Sequence, residues 1–147
     1  MTNAKAFVDT NVLLRAMVSQ IALHAESEAL LQTMWSDQVE LWISRQIIRE
    51  YLVQVTHPNT FALPLTTEQV LSQVEMIQSL FHVADDTGEV TAQLLALIGA
   101  HPTRGKQIHD ANVVATMLAN GIDTLLTINV EDMRRFADKI KLLAPTP

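Results

Sequence analysis

The 147-residue chain contains no cysteine. That excludes a disulfide framework, a cysteine-ligated zinc site and a thiol nucleophile. It has only 4 glycines and 5 prolines, too few for a collagen-like repeat or a flexible low-complexity linker. Aromatic residues make up 5 % of the chain, and no base-stacking or zinc module argues for a separate nucleic-acid-binding domain. An uncharged apolar run of about 18 residues, the length that spans a bilayer, is absent, and the first residues lack the basic and apolar regions of a signal peptide. The expectation is a soluble, cytoplasmic protein without a membrane partner.

Lysine and arginine are missing altogether from residues 50–103. That segment carries Glu50, Glu68, Glu75, Asp85, Asp86 and Glu89, and so accounts for the whole formal net charge of −6. An acidic balance argues against nonspecific binding to nucleic acid. It leaves room for a local basic rim, for which Arg104, Lys106, Arg134, Arg135, Lys139 and Lys141 are available; Arg104, Lys106, Arg134 and Arg135 are expected to line the substrate path, with Lys5 and Arg15 as comparison positions outside it.

What is present is 48 % hydrophobic residues against 18 % charged, enough for one substantial core, and a single domain over residues 1–147 is expected. Short apolar runs alternate with amphipathic stretches. Strands are expected at Ala6–Val8, Val39–Ile43, Phe81–Val83, Thr124–Ile128 and Ile140–Leu143. Helices are expected from about Asn11 to Val18, Ile21 to Trp35, Ser44 to Val55, Glu68 to Leu80, Asp86 to Ile98 with Gly99 as its stop, Ile108 to Asn120, and Glu131 to Ala137. A loop is expected between Pro58 and Pro64. Alternation of this kind implies an α/β fold with a parallel sheet covered on both faces. The working site of such a sheet lies beyond the carboxyl ends of its strands.

Four segments place polar or acidic residues at that edge. Asp9 ends the first apolar run in Val8-Asp9-Thr10-Asn11, where it is a helix cap or a ligand, and Thr10 and Asn11 can hold its carboxylate. Glu50 falls just outside the apolar stripe of Ile47, Ile48, Tyr51, Leu52 and Val55. It is either a solvated helix residue or a member of the site, since its helix follows the second strand. Asp110 begins a helix that is otherwise nearly all apolar, where it complements the helix dipole or points inward. Asn129 and Asp132 follow the fourth strand, either as a capping pair or as donors to an ion or a bound water. Clustered carboxylates repel, by about 4 kcal/mol for two charges about 4 Å apart at an effective dielectric near 20, so they require a cation. Oxygen-only ligands suit Mg²⁺ or Mn²⁺.

Val8 to Leu14, then Ser44 to Leu52 with Glu50, then Ile108-His109-Asp110-Ala111, then Leu126 to Asn129 with Asp132 to Phe136, resemble a PIN domain. The length and spacing are similar to those of VapC-type toxins, the ribonuclease halves of toxin–antitoxin pairs. The resemblance spans nearly the whole chain. It implies a three-layer α/β/α fold with a five-stranded parallel sheet in the order 3-2-1-4-5. It also implies Mg²⁺- or Mn²⁺-dependent cleavage of RNA by an acidic triad of Asp9, Glu50 and Asp110. In that scheme Asp9 and Asp110 ligate the ion directly, Glu50 acts through water or as a base, and Thr10, Asn11 and Thr127 support the carboxylates. Many PIN domains have Asp where this chain has Asn129, with Asp132 near enough to assist. An antitoxin partner and a homodimer are further implications.

Two other readings compete. A haloacid-dehalogenase-like phosphatase needs a second Asp two positions after the first, and position 11 is Asn. A PIN fold that binds RNA or a partner without cutting is the non-enzymatic alternative.

Overall fold

The structure, a computed structural model, describes residues 3–61 and 64–147. Residues 62 and 63, inside the loop expected between Pro58 and Pro64, lie outside the described residues. Strand β1 (Lys5–Val8) leads into α1 (Thr10–Met17) and α2 (His24–Ser36). Strand β2 (Glu40–Ser44) leads into α3 (Arg45–Thr56) and α4 (Thr67–Leu80). Strand β3 (His82–Ala84) leads into α5 (Gly88–Ala100) and α6 (Gln107–Ala119). Strand β4 (Thr124–Leu126), the single turn α7 (Val130–Met133), a 3₁₀ turn (Arg134–Phe136) and β5 (Lys141–Leu143) complete the chain.

All pairings are parallel, and the order is β3-β2-β1-β4-β5, as the resemblance implied. Strand β1 is central. Ala6, Phe7 and Val8 are at most 1 % exposed, which is why this strand reads as a continuous apolar run without alternation. Because β-α-β crossovers are right-handed, the connections from β1 to β2 to β3 put α1–α4 on one face. The return from β3 to β4 puts α5 and α6 on the other. Consistent with this, α1 packs on α2 and α3, whereas α5 packs on α6. Helix α6 is buried almost all round, through Ala111, Val113, Val114, Ala115 and Met117.

Helices α3 and α4 are joined by a buried contact, Tyr51 donating its hydroxyl to Gln73 Oε1 at 2.7 Å. Burial pushes the phenol of Tyr51 up to about 12. Among the described residues no helix is long and apolar enough to cross a membrane.

Several boundaries differ from the expectation, each for a local reason. Helix α2 begins at His24 because Leu23 adopts a left-handed backbone, φ 65°. Helix α5 runs through Gly99 and stops at His101, which is extended, as the residue before a proline prefers to be. The stretch expected as one helix from Glu131 to Ala137 divides into α7 and the 3₁₀ turn. Strand β4 ends at Leu126, not Ile128, because the next residues turn into the site: Ile128 N donates to Asn11 Oδ1 at 3.0 Å.

Candidate active site

Strand order reverses between β1 and β4, the switch point where an open parallel sheet leaves a crevice at its carboxyl edge. The register pairs Val8 with Leu126, so the next residues out, Asp9 and Thr127, are neighbours. Asp9 N donates to Leu126 O at 3.0 Å and fixes the end of the strand. The Asp9 carboxylate accepts three hydrogen bonds, from Thr10 N at 2.9 Å and Asn11 Nδ2 at 3.3 Å, and from Thr127 Oγ1 at 2.8 Å. It does cap α1, as its residue type suggested. Yet it is 7 % exposed, and burial raises its pKa, an effect the three donors oppose. A carboxylate that served only as a cap could face water without that cost.

Thr127 is fully buried and does more than support Asp9. Its Oγ1 also accepts from Asn129 N at 3.0 Å and from Asn11 Nδ2 at 3.4 Å. The hydroxyl therefore ties the ends of β1 and β4 together.

Glu50 sits in the second turn of α3. Ser44, the last residue of β2, caps that helix by accepting from Ile47 N at 3.3 Å. Glu50 Oε2 accepts from Thr10 Oγ1 at 3.4 Å, which joins α3 to the start of α1. Glu50 Oε1 accepts from Gln46 Nε2 at 3.0 Å. The same amide donates to His109 O at 2.9 Å, and Gln46 Oε1 accepts from Asn112 Nδ2 at 2.8 Å. Gln46 is 7 % exposed, so the site contains a buried, fully used amide that bridges α3 to the helix carrying Asp110. Burial raises the Glu50 pKa, the Gln46 bond lowers it, and the charge of Asp9 raises it.

Asp110 lies in the first turn of α6 and is half-buried. Its pKa is raised by burial and then by the charges of Asp9 and Asp132, while Arg135 and His109 pull it down. Asp9, Glu50 and Asp110 line one cavity of about 410 Å³, together with Thr10, Asn11, Leu14, Arg15, Val53, Gln54 and Asn129. Its volume falls within the range of small-ligand pockets, about 300–1,000 Å³.

The fourth segment divides. Asn129 is exposed, lines the cavity and makes no side-chain cap to α7, so its amide is not used as a helix cap. Asp132 is exposed and outside the lining, and it reaches the site through its charge on Asp110.

The four cations expected to form a rim all lie outside the lining. Arg104 and Lys106 are exposed on the loop before α6. Arg134 pairs with Glu131 at 2.7 Å, and Arg135 donates to Gln107 Oε1 at 2.8 Å while its charge acts on Asp110. The cation that does line the cavity is Arg15, which the sequence had placed apart from the rim. Gln46, Asn112 and Arg15 are the residues that sequence reasoning missed. Each sits one turn from a residue it had singled out or in the same helical turn, and that spacing was the available signal.

The oxygen donors among the lining residues are carboxylates, side-chain amides and the Thr10 hydroxyl, with neither thiol nor imidazole. Among the described residues no three His, Asp or Glu side chains stand close enough to enclose an ion by themselves. A hard ion held by one or two carboxylates and several waters fits such a set. Asp9, Glu50, Asp110 and Asn129 are the lining residues whose oxygens would be available to it.

A buried acidic crevice at the switch point of a 3-2-1-4-5 parallel sheet defines a class of site before any comparison is made. The family model described as PIN domain matches residues 5–131, and the chain belongs to that family. Solved structures similar to it include VapBC2 from Rickettsia felis bound to a DNA fragment from its promoter. That match has a TM-score of 0.73 and 17 % identity over 95 % of this chain and 98 % of that one. VapBC-1 from nontypeable Haemophilus influenzae matches with a TM-score of 0.70 and 16 % identity over 97 % and 99 %. VapC20 of Mycobacterium tuberculosis, a sarcin–ricin-loop-cleaving toxin, matches with a TM-score of 0.65 and 14 % identity over 88 % and 93 %. No curated protein sequence matches the chain.

Proposed function

We propose that the chain is a divalent-metal-dependent endoribonuclease and the toxin of a toxin–antitoxin pair, acting in the cytoplasm. The observation that carries this reading is the burial of the Asp9 carboxylate at the end of β1, in one cavity with Glu50 and Asp110. Membership of the PIN family, and the likeness to VapBC structures and to an RNA-cleaving toxin, support it.

A Mg²⁺ or Mn²⁺ ion at Asp9 and Asp110 would supply Lewis acidity and a water of lowered pKa. The protein's part is positional. The donors from Thr10, Asn11 and Thr127 oppose the effect of burial on the Asp9 carboxylate and fix its direction. Glu50 Oε1 is occupied by the Gln46 amide, which leaves Oε2, with its long bond from Thr10, to accept a proton from an attacking water. The raised Glu50 pKa moves it toward the operating pH, where a general base is most effective. Asn129 contributes a neutral carbonyl where a fourth carboxylate would add charge, so a second ion would bind less firmly than the first. An antitoxin and a second copy of the chain are its proposed partners; the matched VapBC structures support the first.

The test is cleavage of total RNA by the purified protein, with Mg²⁺ or Mn²⁺ and with EDTA. Asn129 favours one alternative, a PIN fold that binds RNA or a partner without cutting. Binding without metal-dependent cleavage would establish that alternative and overturn the nuclease reading.

A further inference from the structure

Among the described residues, Arg15 is the one basic residue in the lining of the acidic cavity. It is half-buried, on the second turn of α1. Its Nη1 donates to Asn11 O at 3.0 Å, and its own carbonyl accepts from His24 Nδ1 at 2.7 Å, which anchors that part of α1 to the start of α2. Its Nε is buried with no acceptor among the described residues. No carboxylate stands within ion-pair distance of it among the described residues, although Arg45 and Arg134 both have such partners. The charges that shift Glu50 and Asp110 are those of Asp9, Asp132, Arg135 and His109, and Arg15 is not among them. Among the described residues this arginine is therefore not ion-paired with the acids.

A guanidinium stays charged and its N–H donors match the oxygens of a phosphate; because Nε is covered, contact with a ligand in the cavity falls to the Nη groups. Arg15 and Leu14 stand one helical turn beyond Thr10 and Asn11, as Val53 and Gln54 stand one turn beyond Glu50. The cavity thus has an acidic end and a second end with one cation and a largely apolar wall, where Val53 is 62 % exposed.

We propose that Arg15 is the phosphate-docking residue of the site. It holds the RNA phosphodiester next to the one that is cut, with the intervening nucleoside lying against Val53 and Gln54. The proposal rests on the ribonuclease reading. It places the cut phosphodiester at the acidic end and the uncut neighbour on Arg15.

The test is binding of a short oligouridylate by the non-cleaving Asp9→Asn protein in EDTA, followed by fluorescence anisotropy across a salt series. Adding Arg15→Gln should weaken binding about tenfold at low salt, the scale of one charged hydrogen-bonded contact. It should also flatten the slope of log K against log salt by about 0.7, the value for one phosphate of a single strand. Lys5→Gln, at the amino end of β1 and so at the opposite edge of the sheet from the cavity, should change neither. Thermal melts check folding, and if Arg15→Gln unfolds, Arg15→Lys carries the test, since it keeps the charge and loses the fork. That variant should keep the slope and bind several-fold more weakly. Unchanged affinity and slope in Arg15→Gln, or full affinity in Arg15→Lys, would overturn the proposal. If the parent protein still cuts RNA, only the Arg15 assignment falls. If the parent neither binds nor cuts RNA, the ribonuclease reading falls with it.

Discussion

Gln46 donates one amide nitrogen to both Glu50 Oε1, at 3.0 Å, and His109 O, at 2.9 Å, so a single buried side chain sets the Glu50 carboxylate against the helix that carries Asp110. Removing it has two separable effects. Gln46→Met would leave the His109 carbonyl and the Asn112 amide without their partner, costing about 1–3 kcal/mol of stability. It would also remove a bond that lowers the Glu50 pKa. The acidic limb of the pH–rate profile should therefore move to higher pH in Gln46→Met. A lower melting temperature with an unmoved pH profile would show that Gln46 is structural only.

Burial raises the pKa of Asp9, Glu50 and Asp110 together, which fixes the sign of a stability effect. Between the ordinary carboxylate range and the raised values, the folded protein holds protons that the unfolded chain has released. Stability of the metal-free protein therefore falls as pH rises through that window, and the loss is complete above it. Asp9→Asn should raise the metal-free Tm at neutral pH, with the gain shrinking as pH falls toward the ordinary carboxylate range. Mn²⁺ should raise the Tm of the parent and much less that of Asp9→Asn. Calorimetric melts across pH, with and without Mn²⁺, check both. A lower Tm for metal-free Asp9→Asn would mean that the carboxylate serves α1 as a cap.

Part of this candidate site was legible in the sequence because Asp9 and Asn129 stand just beyond strands. Asp9 interrupts an apolar run, and the run is apolar because β1 is buried on both faces. Asp110 stood out as the one charge in a helix with almost no wet face. Gln46 was signalled only by its place one turn before Glu50. A glutamine on a helix reads as solvated, and its burial depends on Asn112 and His109, more than 60 residues away in the chain. Arg15 was passed over for the same reason, since only the packing of α1 against α3 brings it to the cavity. The Gly99 stop failed because Pro102 decides where α5 ends, through the extended backbone of His101.

Position 129 allows a gain-of-affinity test. Asn129 lines the cavity without capping α7, so Asn129→Asp should add an anionic ligand at little cost to the helix. Mn²⁺ affinity should rise, with activity reached at lower ion concentration. Asp132→Asn removes a charge that raises the Asp110 pKa. It should lower activity with little change in Tm if Asp132 assists the ion through water. If Asp132 serves only the first turn of α7, stability should fall and turnover should hold. Cleavage rate against Mn²⁺ concentration for both variants separates these outcomes.

We propose that the Asp9 and Asp110 carboxylates hold the divalent ion used to cut RNA. This is tested most directly by the rate of RNA cleavage as Mn²⁺ is titrated into the metal-stripped parent, Asp9→Asn and Asp110→Asn proteins, each shown to be folded by its melt. The parent should show saturable activation from a zero rate in EDTA, and neither variant should be activated. Cleavage by the parent in EDTA, or parent-like activation of Asp9→Asn, would contradict it.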